Sequence, residues 1–204
     1  MHLKKHTAGF SLIELLTVLG ILTIIVGVAT LLLRDIFTFN RNISDSLTQN
    51  FEARRAVKLM SAEIRKTSPS SIGAYPLEQV ATSSLIFYSN IDSDPEKERV
   101  RYYIKNNTLI RGIVNATGSP LAYTVANEAT STLVNTLTNG SSTPLFSYYT
   151  DSYAGTSSAL TGSFDISIVR HVKIMIYTQN TSGTTTNSNI YTTQVSLRNL
   201  KDNL

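Results

Sequence analysis

Gly9-Phe10-Ser11-Leu12-Ile13-Glu14-Leu15-Leu16 opens a run that continues over residues 17–33 as TVLGILTIIVGVATLLL. Residues 15–33 carry no charge over 19 positions, close to the roughly 20 needed to span a bilayer as a helix. Counted from Phe10 the apolar stretch has 24 residues, interrupted only by Glu14 and closed by Arg34 and Asp35. A buried core helix of that length would be unusual in a chain of this size. An acidic residue inside a membrane segment costs about 2.5–3.5 kcal/mol on insertion scales. Something must offset Glu14, and whatever does so bears on function.

The flanks give the run a direction. Lys4 and Lys5 precede it, so the positive-inside rule keeps residues 1–9 cytoplasmic and sends residues 35–204 outside. A conventional secretory signal fits poorly. Its small-x-small cleavage site should follow the apolar region, and Leu31-Leu32-Leu33-Arg34 offers none.

The totals bound the remainder. The chain has 204 residues, enough for one globular domain and an appendage, and 42% hydrophobic residues, enough for a core. The formal charge of +4 falls to +2 without Lys4 and Lys5, a near-balance that gives nucleic-acid binding little support. With no cysteine there is no disulfide frame, no thiol nucleophile and no Cys-type zinc site. His171 is the sole histidine beyond residue 9, and it opens an expected strand with no nucleophile or second ligand beside it. No Walker loop, GxSxG elbow or HExxH pair occurs, so no enzyme activity and no cofactor are expected.

Beyond Arg34 the pattern becomes amphipathic. Ile36, Phe39, Ile43, Leu47, Phe51, Val57, Met60 and Ile64 form a helical stripe with one lapse at Arg54. Arg65-Lys66 suit the negative end of a helix, and Ser68-Pro69 stops it. One helix from Phe10 to Lys66 is therefore expected, with residues 67–83 as a linker. The period then becomes two. Strands are expected over Leu85–Tyr88, Arg99–Lys105, Thr108–Val114, Val172–Tyr177 and Tyr191–Leu197, with shorter ones near Leu133–Leu137 and Leu145–Tyr149. Asn106-Asn107 makes a tight hairpin turn, and Asn180–Asn189 a polar one. The fold class is α+β: a long N-terminal α-helix packed on an antiparallel β-sheet head.

The head has one dense carboxylate cluster, Asp92-Ser93-Asp94-Pro95-Glu96-Lys97-Glu98. Alternating Asp92, Asp94 and Glu96 is a pattern that offers calcium hard oxygens. The EF-hand glycine is missing, Pro95 occupies the turn and Lys97 intrudes, so a solvated hairpin tip is preferred, with Glu96 and Glu98 near Arg99 and Arg101.

Lys4-Lys5, Gly9-Phe10, Ser11-Leu12-Ile13-Glu14-Leu15-Leu16 and the apolar run to Leu33 together resemble the type IV pilin and type II secretion pseudopilin superfamily. The resemblance implies a leader, residues 1–9, removed by prepilin peptidase between Gly9 and Phe10, and methylation of the new N-terminus. It implies a transmembrane and filament-core helix over 10–34, an amphipathic continuation over 35–66 and an external β-rich domain over 67–204. It assigns Phe10 and Glu14 to assembly: the cationic amine of Phe10 pairs with Glu14 of its own or a neighbouring subunit. At about 4 Å and an effective dielectric of about 20, such a pair is worth roughly 4 kcal/mol before desolvation. Partners on this reading are prepilin peptidase, other pilin or pseudopilin subunits and an inner-membrane assembly platform. The location is the bacterial cytoplasmic membrane and then a filament. Many major pilins have a proline about twenty residues into the mature helix, and residues 10–68 contain none, which favours a minor pseudopilin. The alternative from another class is a non-polymerising, signal-anchored surface protein: an adhesin, receptor or enzyme.

Overall fold

Ser11 starts the long helix and Thr67 finishes it. The computed structural model describes Gly9, residues 11–92, 94–182 and 185–200, with side chains described at all of these except 42, 45, 180–182 and 185–187. Helix α1 runs Leu12–Arg65, 54 residues without proline. At its end the Lys66 and Thr67 amides bond to the Glu63 and Ile64 carbonyls in a tightened last turn, and the Thr67 hydroxyl donates to Ile64 O at 2.7 Å. Thr67 then bridges Ser89, so the chain leaves the helix already tied to the sheet.

The strands follow as β1 (Leu77–Val80), β2 (Ser84–Ser89), β3 (Glu98–Lys105), β4 (Thr108–Val114), β5 (Ala116–Thr117), β6 (Ala122–Tyr123), β7 (Ala129–Val134), β8 (Phe146–Tyr149), β9 (His171–Ser182) and β10 (Thr185–Ser196). An antiparallel five-stranded sheet has the order β1-β2-β3-β4-β7, a three-stranded one the order β10-β9-β8, and β5-β6 is a short ribbon. Asn106 and Asn107 both take positive φ (49° and 59°), as a type I′ turn between β3 and β4 requires. The architecture is α+β, a long N-terminal helix packed against antiparallel sheets.

The chain divides into two compact units, one ending at Ser44 and one beginning at Asp45. In the first, every apolar residue of the helix is exposed. In the second, Ala53, Ala56, Met60 and Ile64 pack against Leu85, Phe87, Val100, Tyr102, Phe146 and Ile174 in a single hydrophobic cluster. The helix face that meets the sheets differs from the expected stripe. Phe51 is 77% exposed and Val57 half-buried, while the small Ala53 and Ala56 are buried. The small Ala53 and Ala56 let the helix backbone lie close to the sheet beside the buried Met60 and Ile64, and Phe51 points away from it.

Two other expectations change. Residues 67–83 are more than a linker, because Leu77–Val80 pairs with β2 at the sheet edge, with a register shift between Leu77 and Gln79. Asn180–Asn189 is mostly ladder, since β9 and β10 stay paired out to Ser182 and Thr185. Threonine is β-branched and fits a pleated surface even where no apolar alternation advertises a strand.

Candidate functional site

The beginning of α1 is built by Ser11. Its carbonyl accepts the Glu14 and Leu15 amides, both at 3.1 Å, and its hydroxyl accepts the Glu14 amide at 3.3 Å. Ser11 thus caps the helix and places Glu14 in the first turn, where the macrodipole favours a carboxylate by about 0.3–1 kcal/mol. That is several times less than the cost of a carboxylate in lipid. Glu14 is exposed and forms no ion pair with any described residue. Gly9, also exposed, lies just ahead of the helix. Phe10 and the leader lysines, Lys4 and Lys5, lie outside the described residues.

The surface that follows suits lipid or other helices. Among the described residues one helix is long and apolar enough to cross a membrane; its most apolar 18-residue window has a mean hydropathy of 2.7, and none of that window is buried. Its hydroxyls are satisfied within the helix. Thr17, Thr23 and Thr30 donate to the carbonyls of Glu14, Gly20 and Gly27 at 2.9, 2.8 and 2.8 Å. Each bond removes a donor that would otherwise meet hydrocarbon unpaired. Gly20 and Gly27 have open space where a side chain would stand, leaving shallow flats for the close approach of another helix.

The head has a polar centre that sequence reasoning missed. Glu63 projects from α1 into the core and is only 6% exposed. It accepts the Tyr102 hydroxyl and both Nε (3.1 Å) and Nη2 of Arg111. Burial alone would lower the Arg111 pKa, but the Glu63 carboxylate holds it above the ordinary value. The available signal was a carboxylate three residues after Met60, on a helix face otherwise apolar. On the opposite face of the sheet, Arg99 donates from Nε and Nη2 to Glu78 (2.7 and 2.6 Å), Tyr88 donates to Glu78 (2.7 Å), and Arg101 pairs with Glu128 while stacking on Tyr103. The expected pairing of Glu96 and Glu98 with these arginines therefore does not form. Successive strand residues face opposite ways, and Glu98 faces away from Arg99.

Of the acidic loop, the fold brings together Asp92, Asp94 and Glu98, with a carboxylate oxygen from each within 4.8 Å of the others, while Glu96 stands outside that group. Asp94 N donates to Asp92 Oδ1 at 3.0 Å, and Asn90 Nδ2 to Asp94 O at 2.8 Å. Glu98 is buried, and burial raises its carboxyl pKa against the lowering effect of the Ile91 amide. His171 begins β9, half-buried, with its ring 5.9 Å from that of Tyr153.

Residues 4–30 match the prokaryotic N-terminal methylation motif. No curated protein matches the chain. The motif match indicates a type IV pilin- or pseudopilin-like substrate of prepilin peptidase, with pilin-type assembly in general, and the apolar helix beside it indicates membrane anchoring.

Proposed function

We propose that the chain is a minor pilin or pseudopilin of a type IV filament or type II secretion pseudopilus, with a structural role and no enzyme activity. Residues 1–9 are the leader, cut between Gly9 and Phe10. Residues 10–34 are the membrane and filament-core segment, 35–66 the amphipathic continuation and 67–204 the external head. The N-terminus is cytoplasmic before cleavage. The new amine of Phe10 pairs with Glu14 during assembly, with other subunits and an inner-membrane platform as partners. The observation that carries this reading is Glu14: a carboxylate in the first turn of an exposed apolar helix, with no counter-charge among the described residues, inside the methylation motif. The exposed stripe of Ile36, Phe39, Ile43, Leu47 and Phe51 supports it, because it offers further apolar surface to neighbouring helices.

The test is co-expression with a prepilin peptidase, followed by mass spectrometry of the membrane-extracted protein and cross-linking between copies. The wild type should show a new, methylated N-terminus at Phe10 and cross-link through its helix. Glu14→Leu should remain inserted in the membrane and lose cross-linking. Retention of Met1, or absence of cross-links between copies of the wild type, would discard the filament reading in favour of a signal-anchored surface protein; assembly indifferent to Glu14→Leu would remove the role given to Glu14.

A further inference from the structure

We propose that the outer edge of β10 is a docking site that takes an extended, acidic segment of a partner protein as an added strand. Exposed strand edges template further pairing, and folds blunt them with short strands, bulges, charges, proline or a covering loop. The other three edges of the two larger sheets are blunted in these ways. β1 has four residues and a register shift, and β7 pairs with β4 across another shift. β8 has four residues, and its outer side is taken by bonds from Phe146 N to Thr82 O and from Leu160 N to Tyr148 O. β10 has none of these devices. It runs 12 residues, Thr185–Ser196, in unbroken register with β9, and carries no charged residue and no proline. Among the described residues no backbone bond reaches its outer side.

This edge is one wall of a trough whose other wall is the second half of α1. Two hollows, about 600 Å³ and about 570 Å³, meet there at Arg54, Ile190 and Tyr191. The Arg54 guanidinium lies 5.8 Å from the centre of the Tyr191 ring, and Lys58, one turn on, lines the second hollow beside Thr192 and Thr193. Both cations are exposed, and neither forms an ion pair with any described residue. Among the described residues no carboxylate lines either hollow. That sets the chemistry of the occupant. A row of alternating N–H and C=O groups is served by a polypeptide backbone, whereas a nucleic-acid backbone would meet the cations but has no matching row of donors. Four residues of helix advance about 6 Å, and two residues of strand about 6.6–6.8 Å. Carboxylates at alternate positions of an added strand therefore stand in step with Arg54 and Lys58. The side chains between them lie on the other face, beside the exposed Ile190 and Thr192. A second copy offered through its own β10 fits less well, because the pairing would bring Arg54 and Lys58 of both copies to one seam, where like charges repel. The inference does not rest on the filament reading.

The test uses the full chain in detergent micelles and a labelled peptide of about eight residues that alternates valine with glutamate. Binding is followed by fluorescence anisotropy, with empty micelles subtracted. Saturable binding is expected, with hydrogen exchange slowed in β10 and not in β1, β7 or β8. Replacing glutamate by lysine should weaken the peptide by about tenfold or more. N-methylation of alternate backbone amides should abolish binding in one phase and leave it unchanged in the other, since only every second amide of an added strand faces β10. Arg54→Gln and Lys58→Gln, both at exposed positions, should each weaken the peptide about two- to fivefold. Arg55→Gln should leave it unchanged, because that side chain lines a hollow on the β7 side of the helix. No saturable binding by the folded wild type at about 1 mM peptide overturns the proposal. So does equal affinity of the two N-methylated peptides, protection that falls on another edge, or a lysine peptide that binds as well as the glutamate one. Self-association of the wild type through the same β10 amides, without peptide, overturns the assignment to an acidic partner.

Discussion

Glu63→Ala is the sharpest perturbation of the head. The side chain is 6% exposed and its two oxygens take the Tyr102 hydroxyl and two nitrogens of Arg111. Truncation would leave a guanidinium whose side chain is 16% exposed, and a fully buried tyrosine hydroxyl, both without an acceptor. Breaking a buried ion pair from one side costs about 3–5 kcal/mol. The orphaned hydroxyl alone is worth about 1–3 kcal/mol, but the two overlap because they share one carboxylate. We therefore expect a loss of about 3–5 kcal/mol, about a fifth or more of the stability of an ordinary domain. Glu63→Gln keeps an acceptor for Tyr102 and should lose about half as much. Replacing the group together, as Glu63→Met with Arg111→Met and Tyr102→Phe, should recover most of the loss, since removing all partners leaves no unpaired group. The assay is urea unfolding of the full chain in detergent, followed by tyrosine fluorescence. All 10 tyrosines lie at or beyond Tyr75 and tryptophan is absent, so the signal reports the head and not the apolar helix. A loss below about 1 kcal/mol for Glu63→Ala, or no coupling between Glu63→Ala and Arg111→Met, would refute the reasoning.

Gly112 on β4 has no room for a side chain. A Cβ there would lie 2.3 Å from Glu128 Oε1 and 2.5 Å from its Cδ, so Gly112→Ala should displace Glu128 from Arg101 and cost about 1 kcal/mol. In a Glu128→Ala background the same change should be neutral or stabilising, and additive urea midpoints for the two would contradict the steric account. Acid should weaken the head partly through Glu78, whose pKa is held below the ordinary 4.5 by hydrogen bonds from Arg99 and then Tyr88. A depressed folded pKa gives stability that is full above the unfolded value and lost as pH falls through the folded one, so Glu78→Gln should flatten the limb below about pH 4.5. Alkali should act through Tyr88, pushed up to about 12 by burial and by its bond to Glu78. A raised folded pKa gives stability that is full below the ordinary 10.0 and lost as pH rises toward 12, so Tyr88→Phe should make the denaturant midpoint fall less steeply over that range.

What the sequence disclosed, and what it hid, follow from the range of each interaction. The helix and the β2–β3–β4 meander are local patterns: a 3.6-residue period, a two-residue period and an Asn-Asn turn, each readable within about a dozen residues. The Glu63–Arg111 pair spans 48 positions, and nothing near Arg111 announces that its partner is on the helix. Strand β1 is four residues with a register shift, too short and irregular for a period to show. The β9–β10 arms are threonine, serine and asparagine over much of their length, so their pairing is carried by backbone bonds that leave no hydrophobic trace. Glu98 was read with its loop because it follows three acidic neighbours. Its place as the first residue of β3, with the side chain turned inward, depends on the strand register and not on the acidic spacing.

Two carboxylates on one helix then argue against each other usefully. Glu63 and Glu14 both interrupt apolar surface, and both need a positive partner. For Glu63 the fold supplies one, because two strands and a core surround it and Arg111 reaches in from β4. Among the described residues Glu14 has only its own helix around it, and its neighbours there are apolar, the capping Ser11, or a threonine whose hydroxyl is already bonded to a carbonyl. The dipole at Ser11 offsets about 0.3–1 kcal/mol of a cost of about 2.5–3.5 kcal/mol. The difference, about 1.5–3 kcal/mol, has to be met by a charge the described part of the chain does not hold. An amine created at Phe10 by cleavage after Gly9, its own or that of another copy, is the partner that places such a charge within one helical turn of the carboxylate. If Glu14→Leu inserted and assembled as the wild type does, that remainder would not exist, and the resemblance carried by Gly9 and Phe10 would have no physical support from Glu14.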